Sequence, residues 1–126
     1  MKLNTLMVIN AIVAAVFGIA LVLVPAQVFQ LYGITVDAPL KYVGQLHGAS
    51  FVGWAFLTWL ARNATDSDAR RAIVLALFVS DAVGFLVALI GQLAGVVNSL
   101  GWLVVASCLL LALGFGYFQF ARPASP

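Results

Sequence analysis

Apolar residues run along the chain in four long blocks, about Leu6–Val24, Leu40–Ala61, Ala72–Ile90 and Leu100–Phe120, separated by short polar or proline-marked breaks. Each block reaches the roughly 20 residues that carry an α-helix across the hydrocarbon core of a bilayer. None shows the strict alternation of a barrel strand, and a helix is the open-ended element that pairs all its own backbone groups in lipid. The pattern predicts an all-α, four-transmembrane-helix bundle with an up-down-up-down path, forming one integral membrane domain over residues 1–126.

The breaks carry the chemistry of helix ends. Pro25 follows the first block. Asp37 is placed to cap the second helix, with Pro39 tolerated in its first turn. The run Asn63-Ala64-Thr65-Asp66-Ser67-Asp68 offers caps and favourable negative charge to the third. Gly95 and Asn98-Ser99 divide the third from the fourth, and Pro123 closes the last. Between the first two blocks, Ala26–Gly33 is too short to span but apolar enough to lie at the level of the headgroups.

Composition turns this pattern into a choice of solvent. Of the 126 residues 64% are hydrophobic and 8% charged, and mean hydropathy is +1.13. A soluble domain carries roughly a quarter charged residues, so there is too little polar surface here to wrap a core for water. The first block is long for the apolar part of a secretory signal, and Val24-Pro25-Ala26 is a poor cleavage site, so it reads as an anchor and first span.

Charge sets an expected orientation. Lys2, Arg62, Arg70, Arg71 and Arg122 fall on one side of the path and only Lys41 on the other. Short cytoplasmic flanks carry the basic excess, which predicts that both termini and the 62–71 loop are cytoplasmic. Trp59, Tyr117 and Phe118 near one end, and Tyr42 and Trp102 near the other, suit interfacial belts. No basic patch is interleaved with aromatics, which argues against nucleic acid.

Small residues recur at four-residue spacing: Gly44 and Gly48 in the second block, and Ala72, Ala76, Ser80, Gly84 and Ala88 in the third. Such faces let helix backbones approach closely in lipid, within one chain or between copies. The expected partners are therefore the bilayer itself and a second copy or another membrane subunit. Each half of the chain is a helical hairpin ending in Ala-Arg (Ala61-Arg62 and Ala121-Arg122), but the residues do not otherwise align as a repeat.

The candidate chemistry is sparse. Asp81 is the one ionisable group well inside the third block, where a charge costs about 2.5–3.5 kcal/mol to insert and normally has a partner or a task. His47, the only histidine, lies about 10 Å from the outer end of the second helix, and Asp81 about 15 Å from that of the third. The two are close enough in depth to bond if their faces meet. His47, Ser50, Trp54 and Thr58 form one stripe by the i, i+3, i+4 rule, and Asn10, Gln45 and Gln92 complete the polar inventory. Either these groups face a cavity and handle a proton, a cation or a polar ligand, with pKa values moved by burial and by each other, or Asp81 simply ties helices together through Ser80, Asn10 or His47.

Other chemistries lack their parts. One His and one Asp do not make a metal site, and the lone Cys108 excludes an intrachain disulfide. No nucleophile elbow, phosphate loop or haem-attachment motif occurs, and no cofactor is expected. Glutamate is absent altogether, so the first-helix carboxylate typical of small multidrug exporters is missing.

The stretches Gly48-Ala-Ser-Phe-Val-Gly-Trp-Ala-Phe-Leu-Thr-Trp-Leu-Ala-Arg62 and Gly95-Val-Val-Asn-Ser-Leu-Gly-Trp102 resemble uncharacterised small four-helix bacterial integral membrane proteins, a likeness that covers most of the chain and implies no activity. The layout is also similar to DoxX-type four-helix proteins, which would imply a link to quinone or redox partners. The reading is a membrane protein without catalytic activity, acting by helix–helix assembly or by binding a lipid-like ligand or partner subunit. The alternative is a proton- or cation-coupled transporter or channel subunit using Asp81 with His47.

Overall fold

The structure, a computed structural model, describes residues 1–121; Arg122 and Pro123, expected above to flank and close the last helix, lie outside the described residues. These form five α-helices, α1 (Leu3–Leu23), α2 (Pro25–Leu31), α3 (Ala38–Ala61), α4 (Asp68–Leu93) and α5 (Gly101–Gly116), the last running into a π-helical turn at Tyr117–Ala121. Each apolar block is a helix, with α1 and α3 starting three and two residues earlier and α4 longer by four and three at its two ends, and the segment that begins at Pro25 is a helix of its own. Asp37 accepts a hydrogen bond from the Leu40 N–H at 2.8 Å to start α3, and Ser67 accepts from Arg70 N–H at 3.2 Å to start α4. Gly33 and Gly95 follow the ends of α2 and α4 with φ of 77° and 75°, a left-handed backbone that glycine adopts at little cost.

Three helices, Leu3–Leu23, Asp68–Leu93 and Gly101–Ala121, are long and apolar enough to cross a membrane. α3 is not among them, although its 24 residues rise about 36 Å. The physical reason is its polar share, since Lys41, Gln45, His47 and Ser50 fall in its first half. Its buried positions are Gly44, Gly48, Ala55, Thr58 and Ala61, small or polar, while Val43, Leu46, Phe56, Leu57 and Leu60 point outward and are exposed. α1, α4 and α5 likewise turn Ile12, Val16, Ile19, Val83, Leu86, Ile90, Leu103, Leu110 and Leu113 outward.

The helices pack as two pairs, α1 with α3 and α4 with α5, and α1 joins α5 to bring the pairs together, whereas α3 and α4 scarcely meet. In the first pair the backbones touch. A methyl group at Gly48 would lie 2.8 Å from the Gly18 carbonyl, and one at Gly18 would lie 2.9 Å from the Gly48 carbonyl. One end of the molecule is closed by a core in which the start of α1 (Leu3, Leu6, Met7), the end of α3 (Ala61), the start of α4 (Val74, Leu77) and the end of α5 (Leu111, Phe115) converge. Met7 and Phe115 are wholly buried.

The opposite end is held by Asn98, in the turn before α5. Its backbone N–H donates to Tyr32 O at 2.9 Å and its amide Nδ2 donates to Leu31 O at 2.8 Å. Its Oδ1 accepts from Leu100 N–H at 3.0 Å, and its carbonyl accepts from Gln92 Nε2 at 3.1 Å. One residue thus ties α2 to the α4–α5 turn. Between this clasp and the core, the gap between α3 and α4 is left open.

Candidate functional site

That gap is a cavity of about 420 Å³. α1 contributes Asn10, Ala14 and Phe17, α3 contributes His47, Phe51 and Trp54, α4 contributes Asp81, Ala88 and Gly91, and α5 contributes Val104, Ser107, Cys108 and Leu111. Phe29 and Tyr32 of the α2 segment line it from the clasped end. The walls are overwhelmingly apolar with a few polar groups, the usual make-up of a small-molecule site, and the size falls within the range of such sites.

Four of the five ligand or ion candidates, Asn10, His47, Trp54 and Asp81, line this one cavity. The fifth, Ser50, does not: it is exposed and its hydroxyl donates to Leu46 O one turn back at 3.3 Å. The cause is helical period. From His47 the cavity-lining row continues through Phe51 and Trp54, with His47 and Trp54 themselves partly open to the outside, whereas position 50 is rotated off that row. Thr58 ends the same stripe but is wholly buried, its hydroxyl donating to Trp54 O at 2.9 Å. His47, Phe51 and Trp54 form an aromatic row, with ring centroids 4.6 Å and 6.1 Å apart in edge-to-face contact.

Because α3 and α4 stand apart, His47 and Asp81 face the cavity from different helices with no hydrogen bond or ion pair between them among the described residues. The tie to Asn10 or Ser80 is likewise not made; Ser80 is half-buried. Asp81 shares the cavity wall instead with Cys108 of α5. A methyl group at Gly84 would come 3.3 Å from the Cys108 Sγ, so the glycine lets α5 approach α4 at this level.

Asn10 is 6% exposed and its amide nitrogen has no hydrogen-bond partner among the described residues. A buried amide left unpaired costs about 1–3 kcal/mol, so the residue is an expense the helix contacts do not explain. At the clasped end, burial raises the Tyr32 phenol above its ordinary pKa. Any stability this contributes is present below the ordinary tyrosine pKa and is lost as pH rises through the higher folded value.

The remaining small-residue positions are taken up within the chain. Gly44 lies under the Phe29 ring, whose Cε2 would be 2.5 Å from an added methyl group, and Gly48 lies against α1. Ala88 lines the cavity, while Ala72 and Ala76 are exposed, so the small face of α4 is a contact surface only along part of its length.

Sequence reasoning missed Phe51, Ser107, Cys108 and Asn98. The first belongs to the stripe through His47 at a spacing of four rather than three. Gly101, Val104, Cys108 and Leu111 share one face of α5 by the same periodicity, but a single thiol in an apolar run carries no signal of its own. No group of three or more potential metal ligands occurs among the described residues.

Residues 1–120 match a family described as Domain of unknown function (DUF8292). The chain belongs to that family. Membership in DUF8292 agrees with the resemblance to uncharacterised proteins and adds no activity, source organism or link to DoxX-type proteins. No curated protein matches the chain, and no solved structure matches it. The DUF8292 match covers all four long helices and every residue of the cavity.

Proposed function

We propose that this protein is a non-catalytic, four-span membrane protein that binds an apolar, lipid-like molecule in the cleft between its two helix pairs. The observation that carries this reading is the cavity itself: an apolar chamber open between α3 and α4, with Asn10, His47, Trp54 and Asp81 converging on it. The outward Leu, Val and Phe face of α3 supports counting it as the fourth span. The gap between α3 and α4 then opens sideways, toward the acyl chains, and admits a ligand from the bilayer. Five basic residues against one on the two sides of the path support cytoplasmic termini in a bacterial inner membrane.

Ligand binding is favoured over assembly with a second copy because Gly18, Gly44 and Gly48, the closest-packing glycines of the α1–α3 pair, are occupied by α1, α3 and Phe29 of the same chain. In the bound state the Asn10 amide meets an oxygen of the ligand, and Trp54 and Phe51 cover its apolar body.

The test is a titration of the purified protein in mild detergent with Nile red, a neutral apolar dye, alongside native mass spectrometry for any retained molecule. Wild type should take up one dye per chain, and Ala88→Phe, which fills the cavity, should not. Equal uptake by both proteins would refute the site.

A second reading rests on Asp81 and His47 lining the same cavity: proton- or cation-coupled passage through the cleft. It predicts that Asp81→Asn abolishes proton or cation flux in liposomes while folding is kept. Flux equal to wild type removes it.

A further inference from the structure

At the closed end of the bundle, beyond the core, lies a second recess of about 500 Å³, lined in part by Lys2, Arg62, Arg70 and Asn63. We propose that this recess binds the phosphate group of an anionic lipid. The proposal is independent of the cleft between the helix pairs.

Three cations reach the recess from three different helix ends, so the site is made by the fold and not by a run of basic sequence. Lys2 precedes α1, Arg62 follows α3, and Arg70 is in the first turn of α4. Their charge is not cancelled. Arg70 pairs with Asp66 at 3.3 Å, but Lys2 and Arg62 have no carboxylate partner among the described residues, the other described ion pair being Arg71 with Asp68. The two guanidinium groups are held in place. Arg62 stacks 3.9 Å over the Trp59 ring and donates to Trp59 O, and Arg70 donates to Ala64 O at 3.1 Å. Positioned guanidinium forks with an ammonium group nearby suit a phosphate, which accepts several charge-assisted bonds at once.

The surroundings point to a lipid as the source. Tyr117 and Phe118 line the same recess, and Phe118 packs on the core. Leu60, two residues before Arg62, is 73% exposed on the outward face of α3. A headgroup in the recess would thus leave its acyl chains along the apolar exterior, with Trp59 and Tyr117 at the depth where aromatic residues favour the interface. Juxtamembrane Lys and Arg each strengthen attraction to anionic lipid, and here three converge on one recess instead of being spread along a surface.

The experiment reconstitutes the full chain in nanodiscs of equal parts phosphatidylglycerol and phosphatidylcholine and weighs what it retains when released in a native mass spectrometer. Wild type should retain phosphatidylglycerol in preference to phosphatidylcholine. Each charge removed by Lys2→Gln and Arg62→Gln should lower that preference about fivefold, while Lys41→Gln, at the other end of the bundle, should leave it unchanged. Should the double variant not fold, Lys2→Gln alone, at an exposed position, carries the same comparison. A parallel arm offers inorganic phosphate to protein in phosphatidylcholine nanodiscs. Retention there by wild type and not by the double variant would reassign the occupant to a free anion and overturn the lipid. Equal phosphatidylglycerol preference in wild type and the double variant, or the same loss in Lys41→Gln, would overturn the site.

Discussion

Asn10 and Asp81 show what a few polar atoms do in a chain this apolar. The Asn10 amide nitrogen has no hydrogen-bond partner among the described residues and lies on the cavity wall, where the proposed ligand would give that cost a purpose. Replacing it with a shape-matched apolar residue removes the cost. Asn10→Leu is expected to stabilise the fold by about 1 kcal/mol, read as a higher unfolding midpoint in detergent, while weakening dye uptake. A variant that is both less stable and binds normally would mean the amide is structural. Asp81→Asn keeps size and shape, so helicity and subunit mass should stay those of wild type while ligand uptake or flux falls. A residue holding the helices together would instead lower the unfolding midpoint, and the absence, among the described residues, of any hydrogen bond from Asp81 to another helix argues for the first outcome.

At the scale of elements, the α1–α3 pair depends on two glycines that face each other. Any side chain at Gly48 drives into the Gly18 carbonyl and Leu21, which are backbone and a rigid Cβ that have little room to give. Gly48→Leu should therefore destabilise by about 1–3 kcal/mol or more, seen as a lower midpoint in thermal unfolding. Gly53→Leu, at a position with nothing nearby, should be close to neutral. The clasp at Asn98 makes a milder prediction. Asn98→Ala loses the side-chain bonds to Leu31 and Leu100, each contributing about 1 kcal/mol, but keeps the backbone bond to Tyr32. Amide exchange should quicken around residues 31–34 and 98–101 while the Met7–Phe115 core stays protected. Protection unchanged in the clasp would show that backbone bonds alone hold it.

The whole molecule is closed at one end by packing and at the other by hydrogen bonds, with an apolar chamber between. Such a plan separates rigidity from access. The large core side chains gather where most of the chain's basic residues lie, and under the proposed function the gap between α3 and α4 is where a ligand enters without unfolding either pair. The proposed topology is tested by cysteine labelling in a Cys108→Ala background. A cysteine at Thr65 should be shielded from an impermeant reagent added outside intact cells, and one at Asp37 should react. The reverse pattern would invert the orientation, and reaction at both would remove α3 as a span.

Much of this was open to reading from residue order. Length and apolarity mark all four long helices, because in lipid the backbone must satisfy itself locally. Asp37 and Ser67 mark helix starts, because capping is a contact within three residues. A carboxylate, a histidine and an asparagine inside apolar runs stand out whatever the fold. The pairing of helices was not open in that way. Neighbours in an apolar bundle are chosen by which small faces meet, and many faces carry small residues, so it took the packed molecule to put α1 against α3 and leave α3 and α4 apart. That choice made His47 and Asp81 two walls of one chamber, where residue order left open whether they touch. It moved the inward stripe from Ser50 to Phe51, brought in Cys108 from α5, and gave Asn98 its place between two turns distant in the chain.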